Sequence, residues 1–119
     1  MVLTNKEMFD SLAIFAKAKE KGMLGYAIAK NKRIILAELG EYVEKRDELL
    51  KKYGEDIGEG RFQLSQKNVQ KFFDELQPYN ELSVDIPVMQ VSQEVFCNGT
   101  LDSSEMFIIE WMVREEKGE

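Results

Sequence analysis

Residues 26 to 53 read YAIAKNKRIILAELGEYVEKRDELLKKY. Apolar side chains recur there at Ile28, Ile35, Leu36, Leu39, Tyr42, Val43, Leu49, Leu50 and Tyr53. That spacing marks one face of a helix with a period near 3.6. The opposite face carries Lys32, Glu38, Glu41, Glu44, Lys45, Glu48 and Lys52. Only Gly40 interrupts, and a helix tolerates a single glycine. The pattern predicts one continuous helix over residues 26–52, about 40 Å long at a rise of 1.5 Å per residue.

Working outward, three helix starts share one grammar. Thr4 can cap a helix while Glu7 reaches back to its backbone, with Leu3 placed to staple onto Met8. Ser65 can cap a second, with Leu64 facing Val69, and Asp102 a third, with Glu105 reciprocal and Leu101 facing Met106. The first helix is expected over residues 5–21, buried through Met8, Phe9, Leu12, Phe15 and Ala16 and stopped at Gly22. A short link then makes it and the long helix an antiparallel hairpin.

Beyond Tyr53 comes a glycine-rich loop to Gly60, then a brief strand at Arg61–Leu64. Val69, Phe72, Phe73 and Leu76 mark a helix that Pro78 should follow. From Glu81 to Val91, Leu82, Val84, Ile86 and Val88 alternate with polar residues as in a strand, and Pro87 pushes it to an edge. A last helix, Ser103 to Glu115, is rich in Met106, Phe107, Ile109, Trp111, Met112 and Val113. The fold class is therefore α+β and mostly helical. It forms one domain over residues 1–119: a helical hairpin at 5–53, and a mixed portion at 54–119 with a two- or three-stranded sheet and two shorter helices.

Composition narrows function more by exclusion than by assignment. A chain of 119 residues with 44% hydrophobic content can bury a core without staples. One cysteine, no secretion signal in Met1–Glu7 and no long apolar run point to a cytoplasmic protein away from membranes. Cys97 reads as a buried or half-buried thiol. With no histidine, the usual general base, the usual metal ligand and the partner of a nucleophilic cysteine are all missing. Glu55, Asp56 and Glu59 lack the spacing of a calcium loop. Gly54, Gly58 and Gly60 lack the Gly-Lys-Ser/Thr of a phosphate loop. No catalytic, cofactor or metal residues are expected, and the chain does not read as an enzyme.

The charge is unevenly spread. Residues 1–53 hold 11 Lys/Arg against 8 Asp/Glu, a net +3, while residues 54–119 hold 5 against 14, a net −9. Lys17, Lys19, Lys21, Lys30, Lys32 and Arg33 surround the hairpin turn, with Glu20 the one acid among them. Lys30, Lys32 and Arg33 are thus candidate contacts for nucleic acid or an acidic protein surface. A net charge of −6 and the lack of a nucleic-acid motif disfavour nucleic acid.

The stripe of the long helix carries the other candidate. A helix near 40 Å long outruns the core that a domain of this size wraps around it. Its apolar side is then expected to be covered either by the first and last helices of the same chain or by a second copy or a partner protein, with Ile35, Leu39, Tyr42, Leu49 and Tyr53 as the self-association residues in the second case.

The order of these features is also similar to a known group. Tyr26-Ala27-Ile28-Ala29-Lys30-Asn31-Lys32 leads into a helix ending Arg46-Asp47-Glu48-Leu49-Leu50-Lys51-Lys52-Tyr53-Gly54. A glycine-rich acidic loop, an amphipathic helix and Glu81-Leu82-Ser83-Val84-Asp85-Ile86 follow. Over residues 5 to 95 this resembles short uncharacterised proteins of phage and prophage gene clusters in Gram-positive bacteria. The resemblance implies a small virion, tail or assembly accessory protein without catalysis, and so a virion-associated location as the alternative to the cytoplasm. It assigns no functional residues.

Overall fold

The computed structural model describes residues 1–114. The chain is α+β and mostly helical, in the order β1 (Val2–Thr4), α1 (Asn5–Lys17), α2 (Gly22–Glu38), α3 (Gly40–Tyr53), β2 (Gly54–Gly58), β3 (Arg61–Leu64), α4 (Gln66–Asn80), β4 (Ser83–Asp85), α5 (Gln93–Cys97) and α6 (Ser103–Ile108), closed by a 3₁₀ turn at Glu110–Met112. Its principal extents are 52 × 26 × 24 Å.

The long helix is not continuous. It bends at Leu39 (φ −82°, ψ 0°), which divides it into α2 and α3. The Leu39 N–H still bonds the Ile35 carbonyl at 2.9 Å, and its own carbonyl accepts from Val43 at 2.9 Å. These two bonds hold the chain together across the break, where the regular ladder of α2 ends and that of α3 begins. Beyond it, α3 packs against α4.

The pairing of α3 with α4 is antiparallel, because early α3 meets late α4. The Tyr42 hydroxyl donates to Asn80 near one end, and the Asn68 side chain donates to the Tyr53 carbonyl at 3.1 Å near the other. Lys52 of α3 reaches Glu75 of α4 at 3.0 Å. The two helices are joined by the β2–β3 hairpin, which lies beyond the Tyr53 end. Sequence patterning left residues 53–60 as a loop, but Gly54–Gly58 form β2, antiparallel to β3 with Asp56 opposite Phe62. The turn holds Gly58, Glu59 and Gly60 at φ 99°, 54° and 73°, a left-handed run that glycine makes accessible.

A second two-stranded sheet pairs β1 with β4, Val2 opposite Asp85 and Thr4 opposite Ser83. There are thus two small sheets in place of one. The expected strand 81–91 forms a ladder only at Ser83–Asp85, since Pro87 lacks the N–H that would extend it. The first helix ends at Lys17, four residues early, and Gly22 (φ 63°) opens α2 where it was expected to close α1. Pro78 lies inside α4, and the last helix stops at Ile108. Its expected end at Glu115 lies outside the described residues.

Both expected capping boxes are present, Thr4 with Glu7 and Asp102 with Glu105. Ser65 occupies the N-cap of α4 without a side-chain bond. One core joins all the layers: Leu3, Met8, Phe15, Ala27, Ile35, Phe72, Leu76, Ile86, Phe96, Ile109 and Met112 are all buried in it. Buried polar groups are paired. Asn31 of α2 bonds both backbone groups of Met89. Ser11 accepts from the Trp111 indole at 3.0 Å and donates to the Glu7 carbonyl at 2.7 Å.

Candidate protein-interaction face

The residues expected to mediate self-association are already covered by their own chain. Ile35, Leu39, Tyr42 and Leu49 are buried, with Ile35 and Leu39 at 0% and 1% exposure. Tyr53 is half-buried, and its hydroxyl donates to the Glu75 carboxylate that Lys52 also holds. Tyr42 packs edge-on to Phe9, with ring centres 5.6 Å apart. The expectation of a second copy on this stripe is therefore corrected. The second half of the stripe is covered by α4, which the β2–β3 hairpin returns along α3.

What α2 leaves uncovered is its other side. Met23, Tyr26 and Leu36 are 56%, 63% and 53% exposed. They recur near the helical period with Ala29, Lys30 and Arg33 between them. Tyr26, Ala29, Lys30 and Arg33 line a shallow hollow of about 190 Å³. So of the three candidate basic contacts the structure brings Lys30 and Arg33 together, beside Tyr26. Lys32 sits about 100° of helical rotation from Arg33 and is half-buried on another side.

The electrostatics of this face are one-signed. No acidic residue occurs from Gly22 to Ala37. Among the described residues, Lys30, Lys32 and Arg33 form no ion pair; the only partner of the basic cluster is Glu105, 3.8 Å from Lys17. Glu20, the one acid in the cluster, is drawn to Thr100, accepting from its backbone N–H at 2.7 Å and its hydroxyl at 2.6 Å. The acidic portion thus ties down the link between α1 and α2 and leaves Arg33 exposed with Lys30 half-buried beside it.

Sequence patterning did not single out Met23, and it assigned Leu36 to the buried stripe. The signal was present: Met23, Tyr26 and Leu36 fall outside the arc of α2 that holds Ile28 and Ile35.

Other titratable clusters are structural. Burial raises the Tyr42 hydroxyl above its ordinary 10.0, with Arg46 opposing and Asp10 reinforcing the shift. Glu75 is lowered by the Tyr53 hydroxyl and then by Lys52. Asp102 is lowered by the N–H of Glu105, which it caps. The Arg46 guanidinium lies 4.7 Å from the Phe9 ring and 5.4 Å from Phe72, bridging α1 and α4 by cation–π contact. Among the described residues no group of three or more acidic or cysteine side chains converges as a metal site would require. Cys97 is exposed, contrary to its expected burial, and among the described residues no helix is long and apolar enough to cross a membrane.

No family model matches the chain, and no curated protein or solved structure is significantly similar to it.

Proposed function

We propose that this protein is a non-catalytic interaction protein of the assembly-accessory kind, and that it docks an acidic protein surface on the outer face of α2. One observation carries this reading: three large apolar side chains, Met23, Tyr26 and Leu36, stand exposed around two cations, Lys30 and Arg33, that form no ion pair among the described residues, with no acid between Gly22 and Ala37. An aromatic and apolar centre with arginine beside it is the composition of a protein-binding patch. Nucleic acid fits less well, because the chain carries −6 overall and phosphate neutralisation dominates such binding. Face-to-face pairing of two α2 helices is disfavoured, since it would set Lys30 and Arg33 against their own copies. The resemblance to small phage and prophage proteins agrees with an assembly role.

The test is a titration of the isotope-labelled protein with an amphipathic helical peptide bearing glutamates beside leucines. Amide shifts confined to α2, weakened by salt and by Arg33→Glu, are expected. Shifts elsewhere, or none, remove the proposal. A uniform response to duplex DNA, with no response to the peptide, removes it equally.

A further inference from the structure

Resting on that reading of α2, the geometry points to the partner: the acidic β2–β3 hairpin of a second copy, docked head to tail. The hairpin carries Glu55, Asp56 and Glu59, all exposed, against one cation, Arg61. None of these four enters an ion pair among the described residues. Between the acids, Ile57 stands 57% exposed. Asp56 accepts from the Gly58 N–H at 2.8 Å across the bulge, which fixes the turn. An apolar knob flanked by carboxylates is the complement of a hollow lined by Tyr26 and Ala29 together with Lys30 and Arg33.

The two surfaces lie toward opposite ends of the molecule. The Tyr42–Asn80 contact marks the end of the α3–α4 pair nearest α2, and the hairpin extends past the Tyr53–Asn68 contact at the other end. In line, α2 and α3 span about 46 Å at 1.5 Å per residue, close to the 52 Å long axis. One copy cannot bring its own hairpin onto its own α2 face. A contact between two different patches is heterologous, so each copy joined leaves a free α2 face at one end and a free hairpin at the other, and the chain of copies grows. The net charges of +3 over residues 1–53 and −9 over residues 54–119 align the same way. At about 0.1 M salt the Debye length is about 10 Å, so repulsion between whole copies is screened while the contact pairs remain.

The experiment follows the mass of the intact protein by sedimentation velocity as its concentration rises to the high micromolar range. Three proteins are compared: wild type, Lys30→Glu with Arg33→Glu, and Glu55→Lys with Asp56→Lys and Glu59→Lys. Wild type is expected to grow in mass. Each variant alone is expected to associate about tenfold or more weakly, and an equimolar mixture of the two to recover the wild-type behaviour, because each then offers the other a matched face. A second measurement does not depend on the triple variant folding: in a Cys97→Ser background, chains with Ile57→Cys are mixed with chains with Tyr26→Cys and oxidised. Disulfide-linked pairs are expected only in the mixture.

A wild type that stays monomeric and yields no cross-link overturns this inference. The peptide titration on α2 then judges the docking face separately. Association that survives the hairpin reversal also overturns it, naming another occupant.

Discussion

Asn31 and Met89 form a closed pair: the Asn31 side-chain amide donates to the Met89 carbonyl at 2.8 Å and accepts from the Met89 N–H at 2.7 Å. A buried asparagine on α2 thereby supplies what a neighbouring strand would, and fixes the irregular segment after β4 against the helix. Asn31→Leu keeps the volume but leaves a donor and an acceptor without partners. It should cost about 2–4 kcal/mol, read from urea denaturation. A loss under half a unit would mean that water replaces the amide freely.

Burial separates the two apolar sides of α2. Leu39→Ala opens the core at the bend and should lose about 2–5 kcal/mol. Tyr26→Ser and Met23→Ser remove exposed groups and should move stability by no more than about 0.5 kcal/mol, while abolishing the peptide response on α2. Equal destabilisation by both kinds of substitution would show that the outer face is covered.

Tyr42 links stability to alkaline pH. Its hydroxyl serves Asn80 inside the fold, and burial raises it above 10.0. A proton held more tightly in the folded than in the unfolded chain contributes stability below pH 10 that is lost as pH rises through the folded value. Tyr42→Phe should therefore be less stable by about 1–2 kcal/mol at neutral pH, and the gap to wild type should narrow above pH 10. Parallel pH profiles for the two proteins would refute the linkage.

Gly40 begins α3 beside the bend, and an added Cβ there meets nothing within 4 Å. Its φ is not left-handed, so alanine fits without strain. Gly40→Ala should raise stability by about 0.5 kcal/mol. A drop in melting temperature would show that the bend needs glycine.

Local chemistry was the legible part of the sequence. Thr4 with Glu7 and Asp102 with Glu105 cap as their spacing predicts, because a cap is decided within four residues. The mostly helical α+β class also followed from periodicity. The bend at Leu39 was not legible, since Gly40 alone is compatible with a continuous or an interrupted helix. The larger difference came from α4. Extrapolating a straight rod left the stripe from Ile35 to Leu49 uncovered, whereas the hairpin at Gly54–Leu64 returns α4 across it. Strand β1 was missed because three residues carry too little pattern, and its partner lies some eighty positions away. Of the basic candidates, Lys30 and Arg33 share a hollow because they are three residues apart, and Lys32 falls outside it for the same helical reason.

The register of Val2 on Asp85 also sets an order of events in the making of this protein. Synthesis delivers the first strand early, yet it has nothing to pair with until residue 85 has emerged. The α3–β2–β3–α4 unit, whose contacts are close in sequence, can be in place before then. The α3–β2–β3–α4 unit therefore settles first, and the β1–β4 pair is among the later contacts to form.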